Sequence, residues 1–177
     1  MKLHIGGRQV KDGWKMLNIL NLQGVDFVGD IRDLSQFADE SIDEIYASHV
    51  LEHVSLPNMP GTLDGLYRVI KPGGRLLISV PDIDVLCRAM LDPALASDDK
   101  FYVMQMIYGG QIDDFDYHYF GWNIIFMETW LKRAGFQAVE KVSHFGLFND
   151  TSDYAPYGVP ISLNVIATKA APFRIKF

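Results

Sequence analysis

The chain has 177 residues, 49% of them apolar and 21% charged, with a formal net charge of −6. That length suits one domain with a sizeable core, and the acidic balance argues against a nucleic-acid partner, because phosphate binding relies on clustered Lys and Arg. No apolar run approaches the roughly 18 residues of a spanning helix, and the opening MKLHIGG carries no leader or lipidation pattern, so no membrane association is expected.

Residues 2–5 (KLHI), 16–20 (MLNIL), 25–28 (VDFV), 42–47 (IDEIYA) and 75–80 (RLLISV) read as strands, and their mostly apolar character suits a parallel sheet covered on both faces. Only eight residues separate Gly7 from Met16, short of an ordinary βαβ crossover, so the first connection must be a loop or a vestigial helix. Residues 54–71 place Leu63, Leu66, Val69 and Ile70 at helical spacing, and Pro72-Gly73-Gly74 should stop that helix. Residues 82–107 read as one or two helices. Within them Cys87, in the apolar setting VLCRAML, reads as a buried structural thiol; as the one cysteine it forms no internal disulfide, which fits a reducing cytoplasm. Residues 123–136 form a further helix ending at Gly135, and 137–144 and 161–168 read as closing strands, the last alternating like an antiparallel strand. This order predicts a single α/β domain over residues 1–177 around one mostly parallel sheet.

In such sheets ligands sit beyond the carboxyl ends of the strands. The first strand is followed by Gly6-Gly7, which let backbone approach a ligand. The second is followed by Asn18 or Asn21, which can reach a ribose hydroxyl. The third leads into Gly29-Asp30-Ile31, an acidic acceptor for an adenine amino group, and the fourth into Ser48 and His49. Four polar strand ends together point to a nucleoside-containing ligand.

Residues 48–54, SHVLEHV, contain H-x-x-E-H, a zinc-peptidase pattern in which two His bind the metal and Glu serves as base, with Glu128 downstream in the role of a third ligand. On a helix His49, Glu52 and His53 would share one face. The preceding parallel strand and the KPGG that follows do not fit a peptidase. The segment reads instead as the polar start of a helix packed by Val50, Leu51 and Val54, and no metal is expected.

The blocks KLHIGG…DGW, VDFVGDIRDLSQFADESIDEIYASHVLEHV, LYRVIKPGGRLLISVPD and TWLKRAGF together resemble the class I S-adenosylmethionine-dependent methyltransferases, in particular short bacterial members of the methyltransferase domain 11 kind. The resemblance implies a Rossmann-like, mostly parallel seven-stranded sheet with an antiparallel final strand and helices on both faces. It implies S-adenosylmethionine as cofactor, with Ile5, Gly6 and Gly7 at the methionine part, Asn18 at the ribose, Asp30 and Ile31 at the adenine, and Ser48 and His49 beside the sulfonium. Two positions depart from the family pattern. Arg8 stands where a second loop glycine belongs, and either crowds the cofactor or holds its carboxylate. Asn18 replaces an acidic residue, removing a charge that would strengthen its hydrogen bonds.

The insertion around 82–122 is the expected substrate cap, and it contains YGGQIDDFDYHYFGW (108–122). His118 reads either as a general base or as a loop histidine bonded to backbone. Tyr117, Tyr119 and Trp122 read either as an acceptor wall or as a plug between cap and sheet, and FNDTSDYAPYGVP (148–160) is a second loop able to border the same mouth. The expectation is methyl transfer to a small molecule such as a sugar or secondary metabolite; the alternative is a methyltransferase-fold binding or scaffold protein without catalysis.

Overall fold

The strands β1 (Lys2–Ile5), β2 (Trp14–Asn18), β3 (Phe27–Val28), β4 (Ile42–Ser48), β5 (Ile70–Pro81), β6 (Gln137–Val142) and β7 (Ser162–Thr168) form one sheet in the order β3-β2-β1-β4-β5-β7-β6. The structure, a computed structural model, describes residues 1–171; residues 172–177 of the expected domain lie outside the described residues. β1 to β5 pair in parallel, and β7 runs antiparallel to both β5 and β6, so the sheet is mostly parallel and Rossmann-like with the expected antiparallel final strand. No helix among the described residues is long and apolar enough to cross a membrane.

Alternation along the strands sorts side chains to two faces. Leu3, Ile5, Ile45, Ala47, Ile78 and Val165 meet Leu63, Leu66 and Val69 of α1 (Met59–Val69) and Met127 and Leu131 of α4 (Ile124–Arg133). On the opposite face Trp14, Tyr46, Leu77 and Phe148 form a separate cluster, joined by Phe145 and Leu147 from the loop after β6. Loops connect β1 to β2, β2 to β3 and β3 to β4, as the eight-residue first crossover requires. A third cluster of Leu86, Val103 and Ile161 ties α2 (Ile83–Leu91) to α3 (Ser97–Tyr108).

Several boundaries shift for local reasons. The helix expected from residue 54 begins at Met59, preceded by a 3-10 turn at Leu51–His53; Pro57 disfavours helical backbone in the residue before it, and Pro60 is accepted in the first turn. Nor does KPGG merely stop α1. The strand already starts at Ile70, and the Lys71–Gly74 stretch is a bulge, with Ile42 opposite Ile70 but Glu44 opposite Arg75, aided by Gly73 at φ +82°. Lys169 reaches across to donate its Nζ to the carbonyls of Tyr67 and Ile70 at 3.0 and 2.8 Å, satisfying the end of α1. Cys87, expected to be buried, is exposed, because the short α2 presents only Leu86 to full burial.

Candidate active site

A cavity of about 310 Å³ opens at the carboxyl ends of β1 to β4, and Ile5, Gly6, Arg8, Asn18, Asp30, Ile31 and His49 all line it. Gly6 turns the chain at φ +73°, and a Cβ there would stand 2.4 Å from Val50 Cγ2, so this loop admits no side chain. Gly7 and Ser48 are corrections to the expected set. A Cβ on Gly7 would meet His4 Nδ1 at 2.5 Å, so Gly7 is bare to accommodate packing under β1. Ser48 shares the face of Tyr46 and places its Oγ 3.2 Å from Asp150 Oδ1, because strand alternation turns it from the cavity.

Asn18 is buried, and its amide is used at both ends: Nδ2 donates to the Gly7 carbonyl and Oδ1 accepts from the Leu20 N–H, each at 2.9 Å. A carboxylate could not make the first of these bonds, which accounts for Asn in place of an acid: it ties the glycine loop to the end of β2. Asp30 is clamped by Arg32, whose Nε lies 2.9 and 3.0 Å from its two oxygens. Burial alone would raise the Asp30 carboxyl, but the Arg32 bonds hold it below the usual carboxylate range. Arg8 is exposed at the rim.

His49 adopts a left-handed backbone, φ +52°, the kind of outlier that collects at functional sites. It lines both this cavity and a second one of about 710 Å³, bordered by Pro81, Tyr102, Met106, His118, Asp150 and Tyr154. Its Nε2 lies 2.9 Å from Ser162 Oγ, which in turn donates to the Thr151 carbonyl at 2.9 Å.

The loop 109–122 returns under Gly109, where φ is +82° and a Cβ would fall 2.0 Å from the Asp116 carbonyl oxygen. The Tyr119 N–H then donates to the Glu52 carbonyl at 2.8 Å, docking the loop on the 3-10 turn. His118 does bond backbone, with Nδ1 3.0 Å from the Met106 carbonyl oxygen, and burial, ahead of all other influences, lowers its pKa. Tyr119 lines the first cavity, whereas Tyr117 lines neither and offers its carbonyl to His53 Nδ1 at 3.1 Å. Trp122 cannot wall an acceptor: it is 0% exposed in the main core, its ring 4.7 Å from that of Phe120.

Sequence reasoning missed Asp113, Asp114 and Asp116, which line the first cavity. The acids in QIDDFDYH were legible, but that they fold back over the carboxyl ends of the strands was not. Asp150 beneath Ser48 is equally hidden, although the loop 148–160 that carries it is legible.

A family model described as a methyltransferase domain matches residues 8–78, from the glycine loop into β5. A search of curated proteins finds no match. Among solved structures, an S-adenosylmethionine-dependent methyltransferase from Thermotoga maritima is similar over 95% of this chain and 81% of its own, at 19% identity and a TM-score of 0.59. The CurJ carbon methyltransferase is similar over 96% of this chain and 48% of its own, at 16% identity and a TM-score of 0.57. Human N-acetylserotonin methyltransferase, solved in complex with S-adenosylmethionine, shares the same coverage and identity at a TM-score of 0.53. The chain thus spans about half the length of the last two proteins. The strand order and these likenesses give the chain the fold of the S-adenosylmethionine-dependent methyltransferases, and the match over residues 8–78 assigns a methyltransferase domain to the part running from the glycine loop into β5.

Proposed function

We propose that the chain binds S-adenosylmethionine in the first cavity and methylates a small molecule held in the second. The observation that carries this reading is the placement of His49 at the end of β4, on the wall common to both cavities. The residues present fit the cofactor. Asp30, kept ionised by Arg32, is an acceptor for the adenine amino group next to Ile31. The Asp113, Asp114 and Asp116 carboxylates suit the cofactor's positive centres, and exposed Arg8 at the rim suits its carboxylate rather than blocking entry. Asn18 acts by fixing the glycine loop. When bound, the cofactor supplies an electrophilic methyl group, so that alignment across the shared wall carries much of the rate.

On the acceptor side, residues 82–122 serve as the cap. His118 presents Nε2 as the free nitrogen once Nδ1 is bonded to Met106, and burial keeps the ring neutral at pH 7, as a base must be. Tyr102 and Tyr154, whose hydroxyls lie 3.2 Å apart, take the place of Tyr117 and Trp122 as acceptor wall. The competing reading, a binding module without catalysis, draws on Asn18, whose two bonds leave its amide little to offer a ribose.

Titration calorimetry with S-adenosylmethionine and its demethylated product tests the proposal. Saturable binding of both is expected; absence of heat at high micromolar concentration overturns it. Asp30→Ala should weaken binding by about tenfold or more, the scale of one lost hydrogen bond to a charged group. Arg8→Gly should weaken binding too; tighter binding would identify Arg8 as an obstruction.

A further inference from the structure

Three side chains converge between the two cavities. Glu52, in the 3-10 turn, is 1% exposed, and neither of its carboxylate oxygens has a hydrogen-bond partner. His53 comes from the same turn and His118 from the loop after α3, and one donor atom from each of the three residues lies within 4.8 Å of the other two. The two imidazoles meet edge to face with centroids 4.8 Å apart. His53 lines the first cavity and His118 the second.

The hydrogen bonds around this cluster define what it lacks. A carbonyl can only accept, so His53 Nδ1 donates to Tyr117 and His118 Nδ1 donates to Met106. Each neutral ring therefore keeps a lone pair on Nε2. His49 follows the same logic: Ser162 has given its proton to Thr151, so it accepts from His49 Nε2. That leaves His49 Nδ1 3.2 Å from Glu52 Oε1, close enough for an ion pair but without hydrogen-bond alignment. A buried carboxylate with no hydrogen-bond partner thus lies beside two half-buried imidazoles that each keep a lone pair, a cluster of acceptors that a cation would satisfy. Bonds from Nδ1 to backbone carbonyls are also how metal-binding histidines are oriented by their surroundings.

We propose that Glu52, His53 and His118 bind a divalent transition metal of the zinc class. Two imidazole nitrogens and one carboxylate oxygen are ligands that suit Zn²⁺, and three protein ligands leave a coordination position open to an oxygen or nitrogen of a small molecule. The ligand set is complete without the methyl-transfer cofactor, so metal binding is testable apart from methyl transfer, although a bound metal would take the His118 Nε2 lone pair assigned above to the base. It is also not the set that H-x-x-E-H suggests. The third ligand is His118, while Glu128 is half-buried on α4 and paired to Lys132 at 2.7 Å.

The test uses the full chain purified without an affinity tag, stripped with a chelator and titrated with Zn²⁺ and, as a spectroscopic probe, Co²⁺. One equivalent of metal per chain is expected, with thiolate-free Co²⁺ absorption. Glu52→Gln and His118→Ala should weaken binding by at least ~10-fold, the scale of losses on disturbing a metal site, and His144→Ala, at an exposed position, should not change it. Wild-type protein that takes up no metal overturns the proposal whatever the variants do. So does unchanged affinity in a Glu52→Gln protein with a wild-type circular dichroism spectrum, or a loss in His144→Ala equal to that in His118→Ala.

Discussion

The two faces of the sheet are held by different means. Under α1 and α4 the contacts are aliphatic, Leu3, Ile45, Ile78 and Val165 against Leu63, Leu66, Met127 and Leu131. On the other face aromatic rings meet at angles, Trp14 with Phe148 at 5.4 Å between centroids and His4 with Phe148 at 4.0 Å, and polar groups are built in, with the Tyr46 hydroxyl 2.9 Å from Asp150 Oδ2. The contrast follows from chain length: with loops joining β1 to β4, helical cover comes from later in the chain, and the loop after β6 supplies Phe145, Leu147 and Phe148 for the second face. That same loop carries Asp150 into the second cavity. The helical face reaches the first cavity through Ile5 and Ile31, and the loop-covered face shares its cover with the second.

If the helical face is the principal source of stability, truncation there should have the largest effect. Leu66→Ala, at a fully buried position on α1, should cost about 3–4 kcal/mol through lost burial and a cavity rigid neighbours cannot fill, read as a lower urea midpoint at unchanged slope. A cost under ~1 kcal/mol would mean that α1 adapts freely and that the two faces do not differ in rigidity.

The second face should instead be sensitive to pH. Burial lowers the His4 pKa to about 4, outweighing the opposing pull of Asp150, and its Nδ1 has no hydrogen-bond partner. The folded pKa therefore lies below the unfolded value near 6.5. Above pH 6.5 both states are neutral and stability is full. As pH falls from 6.5 towards 4 only the unfolded chain takes up the proton, so stability is lost by roughly 3 kcal/mol in all, and below 4 the loss levels off. His4→Leu should flatten urea midpoints across that window. A slope unaffected by His4→Leu would assign the acid sensitivity to other groups.

What the sequence revealed follows the range of the interactions concerned. Strand periodicity is local, so all seven strands and the loop-like first crossover could be read directly. The strand-end rule brings Gly6, Asp30, Ile31 and His49 together, and all four line the first cavity. Interactions set by distant packing were not legible. Trp122 sits among aromatic and glycine residues typical of an exposed loop, yet it fills the core because the loop returns beneath Ile83, its carbonyl accepting the Ile83 N–H at 2.8 Å. Asn18 read as a weakened ribose ligand, and only its bond to Gly7 explains the amide. His49, Glu52 and His53 were expected on one helix face, but the proline that follows confines the segment to a 3-10 turn, and the loop after α3 brings His118 to Glu52 from far along the chain.

The smallest expected effect is the most discriminating between the faces. Burial pushes the Tyr46 phenol up, and the Ser152 hydrogen bond that opposes it does not reverse the direction, so the hydroxyl remains a neutral donor throughout the stable pH range. Tyr46→Phe keeps the ring packed on Phe148 and removes only the bonds to Asp150 and Ser152, so it should cost about 1 kcal/mol. Asp150 still accepts from the Ser152 N–H and lies by Ser48 Oγ, so the loop stays attached while its carboxylate loses one fixed direction. Because Asp150 lines the second cavity and not the first, the substitution should weaken binding of the acceptor and leave the calorimetric affinity for S-adenosylmethionine unchanged. Equal weakening of both would show that the loop cover acts through the whole sheet, and the functional distinction between its two faces would fall.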